Sequence, residues 1–282
     1  MRVGVGLPGI LPDVDGDLVV EWSRRAEAAG FTSLGTIDRL AFGNMEPFAL
    51  LSAAAAVTTS PRLVTMAVIA PLRNTALLAK SAATVDRLSG GRLVLGLATG
   101  ARQDDYLVAG VDGRDRGRRF SEQLVTLRTT WEEDTVGPKP ATRPTLLVGG
   151  GSGPAFARMA RLSDGYVHGG GPPRAFEGAA SKALAAWADA ERPGRPQLWG
   201  QAYFALGDQG VVDRGALYLR RYYTFTGPFA EKIAAGNLTS PQAVLDLVRG
   251  YEDAGCDELV LLPTVADLAQ VERLAEVLAA RA

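Results

Sequence analysis

Three stretches of this 282-residue chain hold residues whose types and order suit chemistry. The first is Leu93-Val94-Leu95-Gly96-Leu97-Ala98-Thr99-Gly100, an apolar run that ends in residues with almost no side chain. Backbone left bare at the C-terminal end of a buried parallel strand suits a flat ring, because α/β proteins place their ligands there. The second is Gly149-Gly150-Gly151-Ser152-Gly153, between the apolar Leu146-Leu147-Val148 and a helical segment. Its bare N–H groups and the helix N-terminus make either an anion site, as for a phosphate, or a flexible strand–helix turn. The third is the connection 207–239 with Tyr218, Tyr222, Tyr223, Phe225 and Phe229, either an aromatic lid over a ligand or an added helix packed on the fold. His168, the single histidine, either bonds a ligand or packs as an ordinary side chain.

Other candidates lose their chemistry on inspection. One histidine and one cysteine exclude a zinc site. Cys256 reads as a small buried hydrophobe and has no partner for an internal disulfide. Gly4-Val5-Gly6-Leu7-Pro8-Gly9 matches the dinucleotide glycine pattern, but Pro8 intervenes and no helix is predicted before residue 17. Gly4 and Gly6 are expected instead to leave room inside a barrel mouth. Lys80, Lys139, Lys182 and Lys232 fall in helices or loops, which weakens a phosphate-binding aldolase or isomerase. Asp104, Asp105 and Tyr106 follow a strand and could exchange protons. Asp112, Arg114, Asp115 and Arg116 read as a solvated salt-bridge network of little energetic weight, and Arg119 and Glu122 are spaced for a helix-face ion pair.

The elements that must position these residues alternate along the chain. Strands are predicted near 2–7, 33–37, 62–69, 93–98, 144–149, 164–168, 197–206 and 258–262. Helices are predicted near 17–29, 47–58, 74–88, 119–132, 154–162, 174–189, 240–254 and 266–280. Eight alternations without a composition break predict one domain over 1–282, a TIM (β/α)8 barrel with 207–239 inserted after its seventh strand. Apolar residues at 47%, charged residues at 22% and a net charge of −1 are ordinary for a globular protein and give no reason to expect nucleic acid or a membrane as partner. No run of about 18 uncharged apolar residues exists. The first residues are already strand-like, so a cytoplasmic location is expected.

The chain resembles the luciferase-like monooxygenases, the bacterial-luciferase family of flavin and deazaflavin barrels. The resemblance covers essentially the whole sequence. It is carried by Pro47-Phe48-Ala49-Leu50-Leu51, Pro61-Arg62-Leu63, Ala83 through Leu93 and Gly96 through Gly100. Gly30-Phe31 with Asp38, Arg116-Gly117-Arg118-Arg119, Val148 through Ser152, Ser163-Asp164-Gly165-Tyr166 and Gly255 through Val260 add to it. It implies binding of FMN or coenzyme F420 and frequent dimerisation, so a homodimer is expected. It implies a cofactor phosphate at Gly149, Gly150, Gly151 and Ser152, with His168 on phosphate or ribityl. It places the ring over the second, third and fourth strand ends, against Thr99, Gly100, Asp38 and a bulge at Ala67-Val68 with Ala70 following. A non-proline cis peptide is expected there, between Ala67 and Val68.

Asp38 and Arg39 are the candidate catalytic residues on this resemblance. Many relatives carry histidine where this chain has Arg39; an arginine cannot give up its proton near neutral pH, but it can hold an anionic substrate or a reduced ring. Ala101 stands where deazaflavin-dependent sugar-phosphate dehydrogenases keep an acid, which argues against alcohol oxidation. What remains is a flavin- or deazaflavin-dependent oxidoreductase, a monooxygenase or hydride-transfer reductase acting on a small organic substrate. A non-catalytic flavin-binding protein is the alternative. Coenzyme F420 is slightly favoured over FMN, because Arg39, Arg73 and Arg102 could line a cationic groove for its tail. No metal is expected.

Overall fold

The computed structural model describes residues 1–133 and 136–281. Its parallel strands are β1 (Arg2–Gly6), β2 (Ser33–Thr36), β3 (Arg62–Thr65), β4 (Val68–Ile69), β5 (Leu93–Ala98), β6 (Thr145–Gly149), β7 (Gly165–Val167), β8 (Gln197–Phe204) and β9 (Glu258–Pro263). They run in the order β3-β2-β1-β9-β8-β7-β6-β5-β4, and β3 also pairs with β5. Because β3 and β4 are two halves of one barrel strand, the sheet closes as an eight-stranded barrel of TIM type. The break between the halves is a bulge. Val64 pairs with Val94 and Val68 with Leu97, so four steps on one strand face three on the other.

The peptide Met66–Ala67 is cis. The expected position, Ala67–Val68, is therefore off by one. Met66 N–H still donates to Thr36 O at 2.7 Å, and Val68 is already back in register with Leu97. The extra residue is thus confined to Met66-Ala67.

The helices are α1 (Gly16–Ala28), α2 (Pro47–Val57), α3 (Thr75–Leu88), α4 (Gln103–Val108), α5 (Arg116–Glu133), α6 (Gly153–Leu162), α7 (Pro173–Asp189), α8 (Gln209–Tyr222), α9 (Phe229–Ala235), α10 (Pro241–Asp253) and α11 (Ala269–Ala279). Their starts follow local chemistry. Glu46 accepts from Ala49 N–H, Ser152 from Ala155 N–H and Ser240 from Ala243 N–H, with proline at the first helical turn of each. Three helices lie outside the sequence-based set: α4, α8 and α9. The last two occupy the connection after β8. No helix among the described residues is long and apolar enough to cross a membrane.

Two apolar layers surround the sheet. On β5, Leu93, Leu95 and Leu97 face the helices, while Val94 faces the barrel axis with Val64, Leu147, Val167, Trp199 and Val260. Gly96 is required by close approach: a Cβ there would stand 2.1 Å from Thr65 O. Gly4 and Gly6 do not leave open room. A Cβ on Gly4 would meet Ser33 Oγ at 2.0 Å and one on Gly6 would meet Leu262 at 2.7 Å, so neighbouring side chains fill the space. At the opposite end of the barrel the fully buried Glu258 receives Arg2 Nε at 3.1 Å, Thr32 Oγ1 at 2.9 Å and the guanidinium of Arg62, which lies over Trp199. That cluster closes the barrel floor.

Candidate active site at the barrel mouth

The C-terminal ends of β2, β4, β5 and β8 enclose a cavity of about 190 Å³. Asp38, Ala67, Ile69, Ala98 and Gly100 form one wall, and Gln201 and Tyr203 of β8 form the wall across the axis. Gly100 has φ +70°, and a Cβ on it would meet Ile69 at 2.7 Å, so this strand end is bare by necessity. Tyr106 of α4 donates its hydroxyl to Thr99 O and fixes the same wall from behind. Strand alternation sorts the predicted ring residues. Ala67 and Ile69 face the cavity; Val68 points into the sheet–helix core, and Ala70 is fully buried with its carbonyl accepting from Gln123 Nε2 at 3.1 Å.

The two candidate catalytic residues are held by partners. Asp38 is 8% exposed and accepts from Ile69 N–H at 2.9 Å and Arg73 Nη2 at 3.1 Å, while Arg73 also reaches Glu46. Burial pushes the Asp38 carboxyl up, against the opposing pull of Arg73 and the Ile69 amide. Its geometry ties the end of β2 to the bulge.

Arg39 is 7% exposed and does not line the cavity. Its Nε donates to Asp105 Oδ2 at 3.1 Å, Nη2 to Asp104 and to Ala41 O, and Nη1 to Tyr222 O at 3.5 Å. Its plane lies near the rings of Phe42 and Tyr222. Asp105 is fully buried and takes Leu40 and Ala41 N–H as well. With all three nitrogens engaged, Arg39 is a brace between the β2 end, α4 and the end of α8. The expected hold on an anionic substrate or reduced ring does not match this placement. Asp104 and Asp105 are spent on the same brace. On α5 it is Arg118, rather than Arg119, that pairs with Glu122.

The phosphate end is built differently. Gly150 has φ +133°, and a Cβ on it would meet Ala155 Cβ at 2.8 Å. Tyr166 Oη donates to Gly150 O at 3.1 Å, and the Ser152 side chain caps α6. Among the described residues no protein acceptor takes the N–H groups of Gly151, Ser152 and Gly153, which are exposed at a helix N-terminus. His168 sits beside this loop at the end of β7. Burial pushes its imidazole below the usual range, so the ring is neutral near pH 7. Gly170 N–H donates to His168 Nδ1 at 3.3 Å, which assigns the remaining proton to Nε2.

The connection after β8 is at once packing and wall. Tyr218 and Leu219 of α8 are buried, with Tyr218 Oη donating to Ile10 O at 3.2 Å. The end of α8 then presents Tyr222, Tyr223 and Phe225 to the cavity. Arg102 lies against them, 4.1 Å from the Tyr222 ring centre and 4.5 Å from that of Phe225, and donates to Tyr222 O at 3.0 Å. Tyr203 and Tyr223 share a hydroxyl–hydroxyl bond of 2.9 Å. Sequence reading missed Gln201 and Tyr203. The available signal was the alternation Trp199-Gln201-Tyr203, a polar residue on the inward face of a strand whose other inward residues are aromatic.

A family model described as luciferase-like monooxygenase matches residues 12–237. An uncharacterized protein of Mycobacterium tuberculosis is 32% identical over 187 residues, 54% of this chain and 65% of that protein. The FMNH2-dependent dimethylsulfone monooxygenase of Pseudomonas fluorescens is 30% identical over 196 residues, 57% of this chain and 54% of that enzyme. The matches thus span less than two thirds of these curated relatives. Among solved structures, an F420-dependent secondary alcohol dehydrogenase in complex with an F420-acetone adduct superposes with TM-score 0.82 at 17% identity, over 98% of this chain and 97% of that one. The chain therefore belongs to the luciferase-like monooxygenase family.

Proposed function

We propose that this protein is an oxidoreductase that uses a flavin-type ring at the barrel mouth to act on a small organic substrate. The observation that carries the proposal is the cavity between the bulge and β8, with bare strand ends on one side and aromatics on the other, and a free helix N-terminus at the same end of the barrel. The residues fit such a group. Gly100 and Gly150 leave cradles that a Cβ would fill, and Gly151, Ser152 and Gly153 offer three unpaired N–H donors to a phosphate. Ala67, Ile69, Ala98 and Gly100 would hold the ring, and neutral His168 would donate from Nε2. When bound and reduced, such a ring supplies the electrons for hydride transfer or for oxygen activation.

The chain's own residues position and exclude water. Asp38 fixes the bulge through Ile69 N–H, and Arg39 fixes the aromatic wall through Tyr222 O. Tyr203 and Tyr223 stay protonated, since burial pushes both hydroxyls up; one proton is spent on their mutual bond and the other is left to donate into the cavity. Ala101 lines the cavity without a titratable group, which favours reduction or oxygenation over alcohol oxidation.

FMN is the cofactor we take forward. Of the three arginines that could line a groove for the F420 tail, two are neutralised: Arg39 by Asp104 and Asp105, Arg73 by Asp38 and Glu46. The sequence similarity to an FMNH2-dependent monooxygenase points the same way. Titrating the chain with FMN and with F420, followed by tryptophan quenching, tests this. Binding of F420 alone overturns the cofactor choice. Binding of neither overturns the oxidoreductase reading. FMN binding without turnover of its reduced form on any acceptor leaves a flavin-binding protein.

A further inference from the structure

Among the described residues, two side-chain polar atoms of the cavity walls lack any partner. Gln201 is 4% exposed, and its Nε2 donates to Gly169 O at 3.1 Å. A carbonyl only accepts, so this bond fixes the orientation of the amide and leaves Oε1 as the buried, unpartnered acceptor. Arg102 donates from Nη2 to Tyr222 O, but its Nε is buried and unpartnered. No carboxylate pairs with Arg102 among the described residues. Buried polar atoms are nearly always satisfied, and an unmade bond costs more than a made one returns. The two atoms are of opposite kind, one acceptor and one donor, and both residues line the same cavity.

We infer that the substrate carries a neutral carboxamide or lactam edge, its N–H given to Gln201 Oε1 and its carbonyl oxygen accepting from Arg102 Nε. The inference rests on the function proposed above, with the ring on the bulge wall of the cavity and the substrate on the wall of Gln201 and Arg102. Other groups satisfy only half of the pair. A carboxylate answers Arg102 but brings negative charge to an amide oxygen. An ammonium answers Gln201 but is repelled by Arg102 in the same cavity. A tertiary amide keeps the acceptor and loses the donor. The hydroxyl pair of Tyr203 and Tyr223, which spends one of its two protons on the mutual bond, adds a second neutral donor to the same wall.

The test uses the full chain and matched probes: δ-valerolactam, its N-methyl derivative and pentanoate. Binding is read by calorimetry and by tryptophan fluorescence, for which Trp199 on the inward face of β8 is a nearby reporter. The wild-type protein should bind the lactam about tenfold or more tightly than the N-methyl form. Gln201→Leu should erase that preference, and Arg102→Met should weaken both lactams together. Equal binding of the two lactams to the wild type overturns the inference, a comparison that needs no variant to fold. So does a preference that survives in Gln201→Leu, tighter binding of pentanoate, or no binding of any probe at millimolar concentration. FMN is titrated in parallel. FMN binding without lactam preference sinks this inference alone, and lactam preference without FMN binding sinks the cofactor reading alone.

Discussion

The two halves of the barrel mouth reach order by opposite means. On the β2–β5 side, the buried Asp38, Arg39 and Asp105 are closed off by charged partners: Asp38 by the partly exposed Arg73, and Arg39 by Asp105 and the half-exposed Asp104. On the β6–β7 side there is almost no side chain at all, and Gly151, Ser152 and Gly153 hold their N–H groups open at the start of α6. The first half spends its polar groups on shape and has few left to offer a ligand. The second keeps its polar groups free because they belong to the backbone, which glycine geometry already holds in place. Charge at the two candidate catalytic positions is therefore spent within the protein, while the donors left unpaired lie on the other half.

The largest test of this contrast is Asp105→Ala. Asp105 is fully buried and takes Arg39 Nε and the Leu40 and Ala41 amides. Its removal leaves a buried guanidinium short of its partner, at a cost of about 3–5 kcal/mol. Asp104, half exposed on the same guanidinium, should cost about 1 kcal/mol or less when replaced by alanine. Urea unfolding of both variants checks this. Similar losses for the two would mean that the brace is not a buried one.

Much of the fold was readable from local pattern, and little of this brace was. The alternation along Leu93–Ala98 placed β5 and its bare end, and the serine–proline starts placed α6 and α10. The bulge was expected at the third strand but one residue late, since no residue type in Met66-Ala67-Val68 says where an extra residue will sit. Arg39 invited a catalytic role through its place in the family pattern, and nothing local opposed it, because its partners lie 65 and 66 positions away in α4, a six-residue helix with too short a period to announce itself. Gln201 was overlooked because a lone glutamine in a strand is ordinary until the barrel closes around it.

Gly150→Ala comes next in size. A side chain must adopt φ +133° and displace Ala155, so the loop distorts at a cost on the order of 1–3 kcal/mol. FMN affinity should fall with it, while Gly153→Ala, with open space around its Cβ, should leave affinity nearly unchanged. Calorimetric titration separates them. Equal affinities for wild type and Gly150→Ala would break the claim that backbone alone makes this half of the site.

Asp38→Asn acts through pH. Its carboxyl is pushed up in the folded state by burial, so the fold binds this proton more readily than the unfolded chain does. The resulting stability is fully present below the unfolded value of about 3.8 and is lost as pH rises through the folded one. Asparagine keeps an acceptor for Ile69 N–H and has no proton to lose. The variant should therefore lack this fall, and its urea midpoint should gain on the wild type as pH rises from 3 to 7. A constant difference across that range would assign the pH response to other groups.

The smallest effect is expected from the solvated charges around the start of α5. Arg118 reaches Asp115 and Glu122, both at 2.9 Å, yet all three side chains are more than half exposed. Water already solvates each of them, and salt screens what attraction remains. Arg118→Ala should leave the urea midpoint and FMN affinity within error of the wild type. Arg39, a residue of the same type with the same kind of partners but a side chain only 4% exposed, cannot be removed so quietly. If the two arginines proved equally dispensable, burial would not be what separates the closed half of the mouth from the rest of the surface, and the contrast drawn between the halves would fall with it.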